Sequence, residues 1–322
     1  MRRSPDSPPR RPARALLALL VGLAIGGNEA SAQAPRLLRA GDLDTLPARP
    51  GERMAYGRDS LQFGELRLPG VTPGARVPVV VVIHGGCWFS PYASARNTAA
   101  LADVLTRDGL ATWNIEYRRY DHPGGGWPGT FRDVASAIDH LRVVAHRQPI
   151  DTTRVLLVGH SAGGHLALWT ASRGRHPVDP ALASEAPPLA VRGVVSVGGI
   201  SDLREYFGRE RQSCGNPAVE SLLGGLPDSV PARVRAGSPI ERLPLGVPIR
   251  DLAGETDRVA PLTARQAFVQ AARRAGDDAE LITVPGGHFE PMAPGTEGGQ
   301  TLRQTIRTLL GLPRRTDPPP DR

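Results

Sequence analysis

The stretch "RVLLVGHSAGGHLALW", residues 154–169, decides how the rest of the chain is read. It begins as an apolar run, breaks at Gly159-His160-Ser161-Ala162-Gly163, and continues with helix-forming residues. A buried strand that passes straight into a helix needs a sharp turn, and only small side chains fit where the two backbones approach. Gly159 and Gly163 supply them. A serine at the apex of such a turn has its hydroxyl lifted above the sheet, with the next backbone N–H, that of Ala162, beside it. Gly-x-Ser-x-Gly is short enough to arise by chance. Ser161 therefore counts as a nucleophile only if a base, an acid and an oxyanion site accompany it.

Outward from that turn, strand and helix patterns alternate. "VPVVVVIHGG" (77–86) is a β-branched run suited to a strand buried on both faces. "LATWNIEYR" (110–118), "AVRGVVSVGG" (190–199), "GVPIRDLAGE" (246–255) and "AELITVPG" (279–286) read as further strands, and "LQFGELRLP" (61–69) alternates like an edge strand. Helical spacing recurs at 95–109, 129–147, 262–276 and 299–312. In the second of these, Phe131, Val134, Ile138 and Leu141 share one face. The alternation predicts an α/β domain over 61–312, built on a mostly parallel doubly wound sheet. The irregular residues 200–244 form a small cap insert. Residues 33–60, rich in Pro, Arg and Gly, read as an extended arm, and 313–322 as a disordered tail.

In such sheets, ligands gather at the carboxyl ends of the strands. Asp257 directly follows one strand and His288 directly follows the last, so both are expected at the edge that carries Ser161, in the chain order serine, acid, histidine. Glu255 is the alternative acid, and Asp202 reads as structural. His160 flanks the serine but is expected to point away from the pocket, and His165 to pack within the helix. His122, His140, His146 and His176 read as surface or loop residues. An oxyanion needs fixed backbone donors. "HGG" (84–86) ends the early strand, so Gly85 and Gly86 are expected to join Ala162 in that role, with His84 holding the loop by hydrogen bonds.

Taken in order, "HGGCW", "GHSAGG", "GETD" and "GGHFE" resemble the α/β-hydrolase superfamily. Within it they resemble the esterase/lipase branch with the HGG loop, which includes acetyl/feruloyl esterases and kynurenine formamidase-like enzymes. "GGGWPGTFRDV" and "GISDL" are similar to the same branch. The likeness covers residues 60–312. It implies the α/β-hydrolase fold and a Ser161–His288–Asp257 triad with no metal or organic cofactor. Kynurenine formamidase-like enzymes usually carry an aromatic residue after HGG and are typically intracellular. Here Cys87 follows HGG, and the N-terminus reads as an export signal.

That signal begins with Arg2, Arg3, Arg10, Arg11 and Arg14. "ALLALLVGLAIGG" (15–27) is too short to span a bilayer, and "ASA" (30–32) has the small residues a signal peptidase accepts. Residues 1–32 are expected to be removed after Ala32, giving a periplasmic or secreted protein without stable membrane insertion. The net charge is +7, carried by Arg alone because the chain has no Lys. Part of the excess lies in the signal, and the rest is mixed with acids, which argues against a nucleic-acid face. Cys87 and Cys214, the two cysteines of the chain, are read as separate free thiols, with pairing in an oxidising compartment as the alternative. Two cysteines so far apart make no zinc pattern, so no metal is expected.

These readings combine into an exported serine hydrolase acting on a small-molecule ester, with short acyl or aryl groups, through an acyl-enzyme. The alternatives are an arylformamidase or amidase on the same triad, and a catalytically inactive hydrolase-fold binding module.

Overall fold

Val79 to Ile83 are all shielded from solvent, and their side chains alternate between two separate cores. Val79, Val81 and Ile83 enter one core, while Val80 and Val82 enter the other. This is what the unbroken β-branched run demands of a strand covered on both faces. The computed structural model describes residues 36–176, 179–184 and 186–314. The expected signal peptide, 1–32, lies outside the described residues, as does 315–322 of the expected tail.

Eight strands make one sheet: β1 (Glu52–Ala55), β2 (Phe63–Arg67), β3 (Val77–Ile83), β4 (Ala111–Ile115), β5 (Ile150–His160), β6 (Gly193–Val197), β7 (Ile249–Gly254) and β8 (Ala279–Val284). Their spatial order is β1-β2-β4-β3-β5-β6-β7-β8. β2 runs antiparallel to both β1 and β4, and every other pairing is parallel. Leu101 and Leu105 of the helix Ala99–Arg107 pack on one face, with Leu302 and Ile306 of the helix Glu297–Leu309. The helices Gly129–Asp139, Ala162–Ala171 and Leu262–Arg274 pack on the other. Helices on both faces of a mostly parallel sheet are the doubly wound arrangement.

Two readings of the N-terminal region need correction. β2 is not an edge strand, because β1 covers it. β1 comes from the segment read as an extended arm, which also holds the short helix Ala40–Asp44. β1 has four mostly exposed residues and no alternation. It forms through backbone pairing, Glu52 opposite Leu66, and through the Arg53 guanidinium lying 3.6 Å above the Phe63 ring. Neither cause leaves a periodic trace in the sequence.

Residues 200–244, between β6 and β7, fold into four short helices, Leu203–Tyr206, Glu210–Ser213, Ala218–Leu223 and Pro231–Gly237, followed by a 3-10 turn. Asp202 caps the first of them, accepting from the N–H groups of Arg204 and Glu205. Cys87 and Cys214 are joined in a disulfide with Cα atoms 6.0 Å apart, which overturns the expectation of free thiols. The pairing depends on how residues 127 positions apart meet, and no spacing rule encodes that.

Candidate active site

Ser161 sits between the last residue of β5 and the first of the helix Ala162–Ala171, with φ 53° and ψ −119°. A non-glycine residue in this region is strained, and the surrounding contacts must hold it there. Its N–H donates to Val197 O (2.8 Å), and its carbonyl accepts from His165 N (3.1 Å). The flanking glycines are compulsory. A Cβ on Gly163 would lie 2.2 Å from Ile83 O, and one on Gly159 would lie 2.1 Å from Gly163 O. Ser161 opens onto a cavity of about 400 Å³ that also borders Gly85, Gly86, His160 and His288.

Asp257 and His288, the expected acid and base, lie on the loops after β7 and β8. His288 Nδ1 donates to Asp257 Oδ2 at 2.8 Å. Asp257 Oδ1 accepts from Val259 N (2.8 Å) and Ala260 N (3.0 Å). Burial pushes the Asp257 carboxyl up, but the His288 bond and charge, the Ala260 N–H and the Arg265 charge together hold it below the usual range. The acid therefore stays ionised beside the imidazole. Gly198, at φ 55°, makes room for the pair: a Cβ there would lie 2.8 Å from the His288 ring and 3.2 Å from Asp257 Oδ2. Glu255, the alternative acid, is exposed to solvent. Ser161 and His288 border the same cavity, and among the described residues no hydrogen bond joins them. Such contacts often tighten only when substrate binds.

Of the expected oxyanion residues, Ala162 follows the serine in the chain, and Gly85 and Gly86 border the cavity it opens into. Gly85 lies so close that a Cβ on it would be 3.0 Å from Ser161 Cβ. Ala162 is the first residue of its helix, so its N–H has no intrahelical acceptor. His84 holds the loop as expected: Nδ1 faces Gly85 O and Nε2 faces Glu116 Oε1, both at 2.9 Å. Tyr117 stacks on the His84 ring and donates to His84 O at 2.8 Å. Glu116 itself was not legible as part of the site. Burial raises its carboxyl, but His84 and Arg119 bring it down to about 2. It also accepts from Ala95 N (3.1 Å) and Arg119 (2.6 Å), which fastens the loop from below.

His160 departs from expectation. It borders the cavity, its ring lies 4.6 Å from that of His288, and its Nε2 donates to His288 O at 2.9 Å. Burial, and then the neighbouring His288 charge, push its pKa down to about 3, so it is a neutral support. His160 continues the β5 alternation after Leu156 and Val158, onto the face where Phe289 of the last loop packs against its ring. Other supports were also missed. Glu290 accepts from Gly287 N at 2.7 Å and steadies the His288 loop. Buried Arg265 bonds Asp251 and, at 2.6 Å, Leu252 O beneath the acid. Leu43 and Asp44 of the N-terminal helix border the same cavity as Ser161 and His288. His165 packs as expected, fully buried, with Nε2 donating to Gly237 O at 2.9 Å. Among the described residues no group of three or more His, Cys, Asp or Glu could hold a metal ion.

A family model described as BD-FAE matches residues 65–271. The chain belongs to the BD-FAE family. The matched part of this BD-FAE domain contains Gly85, Ser161 and Asp257, while His288 follows it. Esterase LipC of Mycobacterium tuberculosis is 26% identical over 252 residues, which is 77% of this chain and 62% of that protein. Esterase LipQ of the same organism is 26% identical over 284 residues, 86% of this chain and 64% of that protein. The chain thus spans less than two thirds of the length of either relative. A truncated form of a carbohydrate esterase from gut microbiota superposes with a TM-score of 0.68 at 23% identity, covering 82% of this chain and 97% of that one. That likeness is one of fold, the α/β-hydrolase fold.

Proposed function

We propose that the chain is a serine hydrolase of carboxylic esters with Ser161 as nucleophile, His288 as base and Asp257 as the orienting acid. One observation carries the reading: the 2.8 Å contact of His288 Nδ1 with an ionised Asp257, on the cavity that Ser161 opens into. Its names as esterases make LipC and LipQ further support.

In the proposed reaction Ser161 Oγ attacks the ester carbonyl and gives its proton to His288 Nε2. Asp257 keeps the proton on Nδ1 and stabilises the imidazolium that forms. In this proposal the N–H groups of Ala162, Gly85 and Gly86 stabilise the oxyanion, where each such donor is worth about 10²–10³ in rate. His288 returns its proton to the leaving alcohol, and water then resolves the acyl-enzyme by the same route. A cavity of about 400 Å³ suits short acyl or aryl groups. Export with loss of 1–32 is part of the proposal, and the disulfide supports it, because such bonds persist in oxidising compartments.

Turnover of p-nitrophenyl acetate tests the reading. Ser161→Ala is expected to lower kcat by roughly 10⁵-fold or more. A variant that keeps wild-type turnover removes Ser161 from the reaction.

A further inference from the structure

Gly86, Cys87 and Trp88 follow the oxyanion glycine in a row with φ of 95°, 54° and 54°. Three successive left-handed residues, two of them not glycine, do not hold themselves in place. Trp88 is anchored by its own burial and by the bond from Tyr120 N to its carbonyl (3.0 Å). Cys87 is anchored by the bridge to Cys214, in the cap insert. A second tie runs parallel to the bridge: Tyr92 Oη donates to Cys214 O at 2.6 Å. Cys87, Tyr92 and Ser213 all border the catalytic cavity. The two crosslinked segments are therefore the oxyanion loop and one wall of the site.

We propose that the Cys87–Cys214 bridge is a positioning device for the reaction: it holds the backbone donors of Gly85 and Gly86 in register with Ser161, and it makes turnover depend on the oxidised state. The proposal rests on the serine hydrolase reading. With the bridge open, Cys87 is free to relax to negative φ, and rotation of that peptide turns the neighbouring N–H groups from the oxyanion. Ground-state binding depends little on those donors, so the loss falls on kcat. Cys87 is only part-buried and faces the cavity, so a small thiolate can reach its sulfur. The reductant gives two electrons to the bridge and ends as its own disulfide, and two protons complete the Cys87 and Cys214 thiols.

The test compares oxidised chain, chain reduced with dithiothreitol, and the Cys87→Ala/Cys214→Ala variant on p-nitrophenyl acetate, with near-UV circular dichroism reporting the folded fraction. The expected result is a kcat about 10- to 100-fold lower in both bridge-free forms. KM should change by less than about threefold, the folded fraction should stay the same, and kcat should recover when the reduced wild type is reoxidised. Unchanged kcat, or a kcat that falls only in step with the folded fraction, overturns the proposal. If the oxidised chain shows no turnover at all, the esterase reading fails instead.

Discussion

The turn at residues 159–163 and the wall formed by residues 40–44 both border one cavity, yet they are specified in opposite ways. At the turn, steric exclusion dictates the residues: nothing larger than hydrogen fits at Gly159 or Gly163. At the wall, a five-residue helix buries Leu43 to 2% exposure, and Leu43 packs with residues distant in sequence. A site can thus combine a part whose chemistry is written locally with a part whose shape is written only in packing. Changes at the turn and triad should abolish the rate. Changes at the wall should alter which substrate binds.

The largest contrast after Ser161 lies between the two candidate acids. Asp257→Asn leaves shape intact but stops enforcing the proton on His288 Nδ1, and kcat should fall by roughly 10⁴-fold. Glu255→Gln, at an exposed position, should leave kcat within about twofold of wild type. Ester turnover of the two variants decides between them, and equal losses would break the division of roles.

The wall predicts a different signature. Leu43→Ala should cost about 2–3 kcal/mol in stability, because a buried leucine leaves a cavity behind. KM should rise while kcat is largely kept, since the wall supplies no group to the proposed proton transfers or oxyanion site. Urea titration and steady-state kinetics read the two effects. A kcat loss as large as that of Asp257→Asn would erase the distinction between turn and wall.

A smaller effect is the pH dependence of stability. His160 and His165 have pKa values lowered by burial to about 3 and about 4, against about 6.5 in an unfolded chain. Between those values the unfolded state holds more protons, so stability falls as pH drops from about 6.5 toward 4. Asp251, raised by burial to about 6, works the other way over part of that range. Two histidines against one carboxyl leave a net loss on the order of 2 kcal/mol. Urea midpoints at pH of about 7 and about 5 measure it, and equal midpoints would contradict the buried neutral histidines.

The same contrast explains what the sequence disclosed. The strands β3 and β5, the serine turn, Asp257 and His288 follow from β-branched runs, glycine spacing and chain order. Those are local patterns with one steric solution. Glu116 was not visible, because its place beneath His84 depends on how β3 and β4 lie side by side. The Cys87–Cys214 pairing could be named only as an alternative, because it depends on how residues 127 positions apart meet, and β1 was missed because backbone pairing with β2 leaves no periodic trace. His160 was misread because the loop after β8, which brings His288 and Phe289 against its ring, comes from 128 residues further along the chain.

The most direct test of the central claim is to treat the intact chain with a fluorophosphonate and map the modified peptide by mass spectrometry. The account predicts a single label on Ser161 that appears as ester hydrolysis disappears. It also predicts no label in Ser161→Ala. Hydrolysis that persists in a fully labelled chain, or a label on another residue accompanying the loss, would contradict it.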